Sequence, residues 1–346
     1  MSVSPIKTAI IGYGFSAKTF HLPFVDSLPE YELTAISSRQ VDTVKADWPS
    51  AVHYLTAEQL LEDSDAELVI ITSPNDTHFE LAKRALENNK HVVIEKPFVT
   101  KVSDGEALIE LAERKGLVLS VYHNRRWDGD FLTVKKMIAD KRLGNVKCFE
   151  SHFDRFRPEV RQRWREMSQD GGGLLFDLGP HLMDQALDLF GLPDAITAQC
   201  LVMREGSTNV DYFNVVMQYP DAVVTIHSDL FSAGPNRRFH VKGDLGSYEK
   251  YGLDPQEERL IAGVMPSEAH WAAEKKDQYG SFYSADSVEV VTTELGGYQH
   301  YFVSLAESVR GTSLPPVSAE QALWNIKLIE LALESSRLGQ TLQIAK

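Results

Sequence analysis

A lysine between a carboxylate and a proline is the first residue that could do chemistry. Residues 91–95 carry three branched apolar residues in a row, and Glu95, Lys96 and Pro97 come at their end. Such runs are typical of strands buried on both faces, so Lys96 is expected where a strand reaches the surface. An ammonium group there can hydrogen-bond a substrate oxygen and stabilise a developing oxyanion. An ordinary surface lysine is the alternative.

The neighbours of this lysine would fix its position. Pro97 restricts Lys96 to an extended conformation, and we predict a cis Lys96–Pro97 bond, which is typical of tight functional turns. Glu95 either holds the lysine in place or contacts a cofactor.

A carboxylate and a histidine four residues apart form a second candidate. Asp177 and His181 follow three glycines at residues 171–173, and they share one face if the segment is helical. Histidine carries protons near neutral pH, and the aspartate can orient it or bind a substrate hydroxyl. Pro180 means that the helix is either kinked or begins near Gly179. A pair that only stabilises the helix is the alternative. No metal is expected, because no third ligand has suitable spacing.

The first predicted strand ends in a glycine pattern suited to phosphate. Residues 12–17 read Gly-Tyr-Gly-Phe-Ser-Ala, which is a G-x-G-x-x-A pattern. The first glycine permits a tight turn, the second lets the backbone approach a pyrophosphate, and the small third residue allows close helix packing. Because the pattern follows the first strand of a β-α array, we predict a dinucleotide site. A plain strand–helix turn is the alternative.

The end of the second predicted strand indicates which dinucleotide binds. NAD sites usually place Asp or Glu there, to accept from the ribose 2′-hydroxyl. Residues 35–39 read Ala-Ile-Ser-Ser-Arg, and no acid occurs before Asp42. Ser38 and Arg39 can instead hold a 2′-phosphate. A charge-assisted contact of about 1.5–3 kcal/mol changes selectivity by roughly 10- to 150-fold. We predict NADP, with NAD as the alternative if Arg39 is only a solvated surface charge.

The elements that must position these residues differ between the two halves of the chain. Over residues 1–123, solid apolar runs alternate with helical patterns, which predicts a doubly wound α/β domain with a parallel sheet. Strands are expected at residues 6–12, 31–37, 67–72, 91–95 and 117–122. If the fourth pairs with the first, Lys96 emerges one strand spacing, roughly 5 Å, from the strand that feeds the glycine loop.

The loop after the third predicted strand is polar. Residues 72–78 fit a loop over the adenosine and pyrophosphate. Asn75 or Asp76 would equally cap the next helix, and His78 could merely end the loop.

Over residues 124–346 a helix candidate at residues 131–140 leads to a strand, and a second helix opens at the three glycines and ends near residue 190. The longer strand candidates that follow have no helices between them, which predicts an α+β domain on a large open, mostly antiparallel sheet. The expected strands are residues 146–156, 196–204, 212–219, 223–231 and 239–248. A final helix begins at a capping box formed by Ser318 and Gln321. Residues 250–290 allow no interpretation.

Composition excludes several classes of protein. A net charge of −14 over 346 residues argues against a nucleic-acid or anionic-membrane surface. No apolar run approaches the roughly 18–20 residues that span a bilayer, and the N-terminus lacks a signal-peptide pattern. Cys148 and Cys200 have neither metal-ligand nor redox spacing, so we expect free buried thiols and a cytoplasmic protein.

The glycine loop, the Glu95-Lys96-Pro97 strand end and the Asp177-x-x-x-His181 motif, in this order, resemble the Gfo/Idh/MocA oxidoreductases. The resemblance covers nearly the whole chain. It implies a Rossmann domain followed by an α/β domain whose open sheet joins a homodimer or homotetramer. It also implies that Lys96, Asp177 and His181 are the catalytic residues.

Further segments, at residues 120–128, 157–166 and 251–257, resemble the NADP-dependent scyllo-inositol 2-dehydrogenase subgroup. The implied reaction moves a hydride between nicotinamide and a secondary alcohol of a cyclic polyol or sugar, specifically scyllo-inositol. Reduction of another sugar ketone and a non-catalytic NADP-binding sensor or repressor are the alternatives. The residues expected at the cofactor, some of them only through the resemblance, are Gly12, Tyr13, Gly14, Phe15, Ser38, Arg39, Thr72, Ser73, Asn75, His78, Glu95, Lys96, Asn124, Trp164 and Arg165.

Overall fold

The computed structural model describes residues 4–161, 166 and 171–345. The chain forms two compact units that are not continuous in sequence. The first comprises Met1–Asn124, Gln256–Trp271 and Gly297–Trp324, and the second comprises Arg125–Pro255, Ala272–Gly296 and Asn325–Lys346. The sequence predicted a single boundary between residues 123 and 124. The structure has its first boundary one residue later, and it also assigns two later segments to the first unit.

Within the described ranges, the first unit holds a parallel sheet of six strands in the order β3-β2-β1-β4-β5-β6. The strands are β1 Ile6–Ile11, β2 Tyr31–Ser37, β3 Val52–Tyr54, β4 Leu68–Ile71, β5 His91–Ile94 and β6 Leu119–Val121. All four residues of β4 are buried, as the solid apolar runs predicted. The doubly wound α/β domain is confirmed.

Strand β3 was not predicted, and it changes the position of Lys96. It has only three residues, and Val52 is 55% exposed, so no apolar run indicates it in the sequence. With β3 at the edge, β5 pairs with β4 and β6, whereas β1 pairs with β2 and β4. The prediction that Lys96 follows a strand adjacent to β1 is therefore wrong. Two strand spacings, roughly 10 Å, separate β5 from β1.

Helices connect and flank the strands. A π-helical segment, Ala17–His21, precedes the first α-helix. The described α-helices are Leu22–Ser27, Val41–Asp47, Ala57–Asp63, His78–Glu87, Val102–Lys115, Gly129–Ala139, Gly173–Phe190, Gln256–Ile261, Gln299–Val309 and Ala319–Leu338. None of these helices is long and apolar enough to cross a bilayer.

Aromatic packing explains why two distant segments belong to the first unit. Phe302 stacks on Phe24 with ring centroids 5.0 Å apart, and Trp271 meets the same Phe24 at 5.9 Å. Tyr301 packs edge-on against Tyr122 at 4.9 Å. Contacts between residues so distant in sequence leave no local pattern, so a single boundary was the natural but incomplete prediction.

The described part of the second unit holds a sheet of nine strands in the order β14-β13-β12-β11-β7-β10-β9-β8-β15. They are β7 Val146–His152, β8 Ala195–Leu201, β9 Tyr212–Gln218, β10 Val223–Ser228, β11 Arg237–Gly243, β12 Ser247–Tyr251, β13 Gly280–Tyr283, β14 Val288–Val291 and β15 Leu342–Gln343. Among the described pairs of this sheet, only β7 and β10 run parallel. The large, mostly antiparallel sheet is confirmed.

Two details of this sheet differ from the prediction. The strand predicted over residues 239–248 is a hairpin, because Gly243 N donates to Gly246 O at 2.8 Å and the chain reverses there. Strand β13 and all but the last residue of β14 lie within residues 250–290, for which the sequence allowed no interpretation. Cys148 and Cys200 are free, but half-buried rather than buried. The proposed homo-oligomer contact through this sheet stays a prediction.

The capping box of the last helix agrees with the sequence. Ser318 N donates to Gln321 Oε1, and Gln321 N donates to Ser318 Oγ, both at 3.3 Å. Gly339, beyond the helix end, has φ +64°. The helix Gly173–Phe190 contains Pro180 in its interior, so it does not begin near Gly179.

Arg238 is a fully buried cation in β11. Its guanidinium donates to Ser151 Oγ and to Gln185 Oε1, both at 2.6 Å. It also stacks 4.1 Å from the ring centroid of Phe239. Since Gln185 belongs to the helix Gly173–Phe190, Arg238 joins this helix to the sheet.

Replacing Arg238 and its neighbour separately should give very different losses. We expect Arg238→Ala to cost about 3–5 kcal/mol, because it leaves the buried carboxylate of Asp130, 3.7 Å from the guanidinium, without its cation. Arg237, whose side chain is 35% exposed, pairs with Glu150 at 2.6 Å, and Arg237→Ala should cost about 0–1 kcal/mol. Urea unfolding followed by circular dichroism measures both, and equal losses would contradict this assignment.

Candidate functional site

Gly12 is required by the protein itself. It follows β1 with φ +98°, and a Cβ there would lie 2.8 Å from Thr72 Oγ1 and 3.2 Å from the Thr72 backbone. Thr72 is fixed in turn, because its N and Oγ1 donate to Ile11 O at 2.9 and 3.0 Å. The first glycine therefore lets the loop after β1 pass close to the loop after β4.

No contact among the described residues requires a glycine at position 14. Among the described residues, nothing lies within 4 Å of a Cβ built on it, and its φ is not in the left-handed region. A helix begins directly behind it, where Lys18 N donates to Gly14 O at 3.2 Å. Open space beside a helix N-terminus suits a phosphate group. Ala17, the third small residue, is fully buried, as close helix packing requires.

The turn after β2 is tied to the glycine loop. Gln40 Nε2 donates to Tyr13 O at 3.0 Å, and Gln40 N donates to Ser38 Oγ at 3.0 Å. Ser38 N donates to Tyr54 O at 3.1 Å, so the unpredicted strand β3 positions it. Arg39 is exposed beside this turn.

Tyr13 and Phe15, the residues between and after the two glycines, differ in exposure. Tyr13 is 4% exposed and its hydroxyl donates to Asp47 at 2.6 Å. Burial and this carboxylate raise the pKa of Tyr13, so the hydroxyl stays protonated. Lys18 lies 4.2 Å from the centroid of its ring. Phe15 is 51% exposed.

Glu95 is a buried, ionised carboxylate. His21 Nε2 lies 2.7 Å from its Oε1, and Ser16 also donates to it. Lys96 N donates to Glu95 Oε2 at 3.1 Å. Burial raises the pKa of Glu95, but the hydrogen bonds from His21 and Ser16 and the charge of Lys96 together lower it to about 2.

His21 and Ser16 were missed by the sequence analysis. Both lie at the helix behind the glycine loop, and His21 belongs to its π-helical segment. A π-helical turn changes which side chains share a face, and periodicity does not reveal it. The only indication in the sequence was Glu95 itself, because a carboxylate at the end of a predicted buried strand needs hydrogen-bonding partners.

Lys96 and Asn124 follow β5 and β6. The Lys96–Pro97 bond is cis, as predicted, and Lys96 is half-buried. Asn124 is 5% exposed and begins the 3₁₀ turn Asn124–Trp127. Thr72, Lys96 and Asn124 thus all follow carboxyl ends of the parallel strands, which is the edge where doubly wound sheets bind ligands.

His78 ties two loops together. Its Nδ1 lies 2.9 Å from Pro97 O and its Nε2 lies 3.1 Å from Ser73 O. Burial lowers the pKa of His78, so the ring is neutral and donates to one carbonyl at a time. Because the residue is fully buried, its position supports the loops rather than a direct cofactor contact.

The loop at residues 72–78 is closed by its own side chains. Ser73 Oγ and Thr77 Oγ1 lie 2.6 Å apart. Asn75 lies in the 3₁₀ turn Asn75–Thr77, and Thr77 occupies the N-cap position of the helix His78–Glu87. The side chain of Thr77 makes no capping hydrogen bond to this helix.

Asp177 and His181 lie on the helix Gly173–Phe190. His181 is 5% exposed, and Asp177 is half-buried with its Oδ2 3.5 Å from Arg155 Nη1. Arg155 follows β7 and was not predicted. The sequence offered no means to pair it with Asp177.

The glycine at the start of this helix serves its packing. Gly173 has φ +85°, and a Cβ there would lie 2.7 Å from Asn209 Cβ and 2.8 Å from Val210 O. Leu174 N donates to Val210 O at 2.7 Å. This contact fully explains a glycine at position 173, without a cofactor.

Other resemblance-derived residues are placed as follows. Arg126 makes a bidentate ion pair with Asp184, in which Nε donates to Oδ2 and Nη2 donates to Oδ1, both at 2.7 Å. Both residues belong to the second unit. Trp164 and Arg165 lie outside the described residues.

The groups in each unit have distinct chemical capacities. The first unit offers space for a pyrophosphate at Gly14 and a half-buried ammonium group at Lys96. The second offers an imidazole and a carboxylate on one helix, at His181 and Asp177. Such groups can bind a dinucleotide and move a proton.

Known proteins share both halves of this chain. Residues 6–123 match the oxidoreductase family model for the NAD-binding Rossmann fold of GFO_IDH_MocA proteins, and residues 135–344 match the model for the C-terminal alpha/beta domain of the same family. The oxidoreductase YdgJ of Escherichia coli, which is named as uncharacterized, is 44% identical over 98% of this chain and 99% of its own length. The scyllo-inositol 2-dehydrogenase (NADP(+)) IolW of Bacillus subtilis is 38% identical over 99% of this chain and 97% of its own length.

Solved structures agree with this family. That of yvaA from Bacillus subtilis has a TM-score of 0.96 and 38% identity, with complete coverage of both chains. That of YPO2259 from Yersinia pestis has a TM-score of 0.93 and 44% identity, over 99% of this chain and 98% of the other. The chain therefore belongs to the Gfo/Idh/MocA oxidoreductase family and is a nicotinamide-dependent dehydrogenase.

Proposed function

We propose that this dehydrogenase prefers NADP and oxidises a secondary alcohol of a cyclic polyol or sugar, specifically scyllo-inositol to its 2-keto form. The observation that carries the proposal is the exposed Arg39 beside Ser38, in a turn that Gln40 ties to the glycine loop. The substrate class is supported by the full-length relative IolW, whose name states both NADP and scyllo-inositol.

The residues of the first unit fit a dinucleotide. Gly14 leaves the space for a pyrophosphate at the helix N-terminus. Ser38 and Arg39 would hold the 2′-phosphate through charge-assisted hydrogen bonds. When bound, NADP supplies the hydride acceptor for oxidation of the carbinol carbon.

The proton and the developing charge fall to three side chains of this chain. His181 takes the hydroxyl proton as general base. Asp177, held by Arg155 at 3.5 Å, orients His181 or a neighbouring substrate hydroxyl. Lys96 hydrogen-bonds the reacting oxygen and stabilises its negative charge. Reduction of the ketone uses the same groups in reverse.

Gly12 and Gly14 should respond differently to alanine. Gly12→Ala forces a left-handed backbone and a contact at 2.8 Å, so we expect a loss of about 1–3 kcal/mol in folding free energy. Gly14→Ala meets no described atom within 4 Å, so it should fold normally and bind NADPH at least about tenfold more weakly, because its methyl group fills the phosphate space. Thermal unfolding and NADPH fluorescence titration measure the two effects. Normal NADPH affinity in Gly14→Ala would contradict this location.

Arg39→Ala should reduce the ratio of NADP to NAD affinity by roughly 10- to 150-fold, as expected for one charge-assisted phosphate contact of about 1.5–3 kcal/mol. Lys45→Ala is the matched control, because it removes the same charge from an exposed position on the next helix. Titration of both variants with NADP and NAD gives the ratio. An unchanged ratio in Arg39→Ala would remove the argument for NADP.

Lys96→Met should lower kcat with scyllo-inositol by about 100-fold or more, since it removes the group that stabilises the oxyanion. The Kd for NADP should stay within about threefold. Lys101→Met, at an exposed position nearby, should be normal. NADPH formation followed by absorbance gives kcat.

Three results of this assay would revise the proposal. Normal turnover in Lys96→Met would overturn the mechanism. Turnover by the native protein only on another polyol would favour a different sugar ketone as product. Tight NADP binding with no turnover on any polyol would favour the sensor or repressor.

A further inference from the structure

His152, Asp154 and His227 form a cluster on one face of the nine-stranded sheet. Parallel strands β7 and β10 place His152 opposite His227 in register, with ring centroids 5.1 Å apart. Asp154 follows β7 directly. One nitrogen or oxygen atom from each of the three residues can be chosen so that all lie within 4.8 Å of one another.

This cluster lies on the face opposite to Asp177 and His181. Ser151 of β7 and Gln185 of the helix Gly173–Phe190 both bind Arg238, so Ser151 faces that helix. Side chains alternate along a strand, which turns His152 the other way. Arg155 reaches Asp177 of the same helix, so the preceding Asp154 also points away from it. The cluster is separate from the proposed catalytic residues.

The distances within the cluster are too long for good hydrogen bonds. His152 Nδ1 lies 3.5 Å from Asp154 Oδ2, and His227 Nε2 lies 3.6 Å from Asp154 Oδ1. Ligand atoms bound to zinc at about 2.0–2.2 Å in a tetrahedron lie roughly 3.4 Å from one another. The spacing therefore suits atoms that surround an ion.

Two atoms of the cluster lack hydrogen bonds. His152 Nε2 and Asp154 Oδ1 are buried and have no hydrogen-bond partner within the described part of the chain. Leaving buried polar atoms unsatisfied is unfavourable. A cation bound to the Asp154 carboxylate would satisfy its oxygen.

Two further carboxylates lie beside the cluster. Asp229 Oδ2 lies 3.3 Å from His227 Nε2, and its Oδ1 accepts from Phe231 N and Ser232 N at 2.9 Å. Ser232 Oγ donates to Asp229 Oδ2 at 3.0 Å, so Asp229 is held beside His227, outside the three residues whose atoms converge. Glu150 Oε2 pairs with Arg237 at 2.6 Å and lies 3.9 Å from His152 Nε2, which is beyond hydrogen-bond distance.

We propose that His152, Asp154 and His227 bind one divalent transition-metal ion and leave a fourth position open, with zinc as the best match to two imidazoles and one carboxylate. The ion would link β7, through His152 and Asp154, to the neighbouring strand β10, through His227. It would lie on the face of the sheet away from the catalytic residues. No metal was expected from the sequence, because Asp177 and His181 have no third ligand at suitable spacing and the two cysteines lie elsewhere. His152 and His227 lie in two strands that are far apart in the sequence, so they form no short-range motif of the kind that identifies metal ligands.

Zinc binding to the full-length protein tests this site. After treatment with a chelator and desalting, the protein is titrated with zinc chloride by calorimetry, and retained zinc is counted by mass spectrometry. We expect one zinc ion per chain in the native protein. Asp154→Asn and His227→Asn should each weaken binding at least about tenfold, since each removes a direct ligand.

His240→Gln is the matched control. His240 lies on the same sheet, but Glu150 and Glu249 lie near its opposite ring nitrogens, at 3.7 and 3.6 Å, so they do not converge on one ion with it. This variant should bind zinc like the native protein. Thermal unfolding should show that zinc raises Tm in the native protein and in His240→Gln, but not in Asp154→Asn.

Two results would overturn the proposal. One is a native protein that neither retains zinc nor gains Tm from it. The other is equal zinc binding by Asp154→Asn, His227→Asn and His240→Gln. Melting without zinc shows whether each variant is folded, and two different ligand replacements prevent one misfolded variant from deciding the result.

Discussion

The arrangement of the first unit depends on one buried carboxylate, Glu95. It lies at the end of β5, yet it binds His21 and Ser16 from the helix behind the glycine loop. Strand β4 lies between β5 and β1, so β5 and β1 share no backbone hydrogen bonds. The side chains of Glu95, His21 and Ser16 connect the end of β5 to the segment that follows β1. The low pKa of Glu95, about 2, keeps the carboxylate ionised at neutral pH. Any shift of the glycine loop would therefore also disturb the peptide that carries Lys96.

In the second unit, the two faces of the sheet carry different chemistry. The covered face holds Arg238, whose hydrogen bonds and aromatic stacking satisfy a cation without water. Such a group is tolerated only where its partners are fixed, so it makes the helix of Asp177 and His181 a rigid part of the sheet. The other face carries imidazoles and carboxylates at looser spacing, as in His152 and Asp154. The first pattern is suited to support and the second to ligand binding.

Local sequence patterns predicted the elements well, and long-range packing explains the failures. The glycine loop, the cis Lys96–Pro97 bond and the capping box at Ser318 each depend on a few adjacent residues, and they were found. Strand β3 has no apolar run, and its pairing is decided by β2. The aromatic contacts of Trp271 and Phe302 join distant parts of the chain. Neither feature leaves a periodic signal, so the strand order near Lys96 and the domain boundaries could not be completed from sequence.

Three glycines show why residue type alone does not identify a binding site. Gly12 and Gly173 both have positive φ, and a Cβ on either would clash with neighbouring protein atoms. The protein needs them in order to fold, whether or not a ligand binds. Gly14 has neither constraint among the described residues, so folding does not explain it. A position that the fold would let any small side chain occupy, but that carries glycine beside a helix N-terminus, is best explained by a partner outside the chain. This distinction makes Gly14, rather than the full glycine pattern, the strongest indication of a bound dinucleotide.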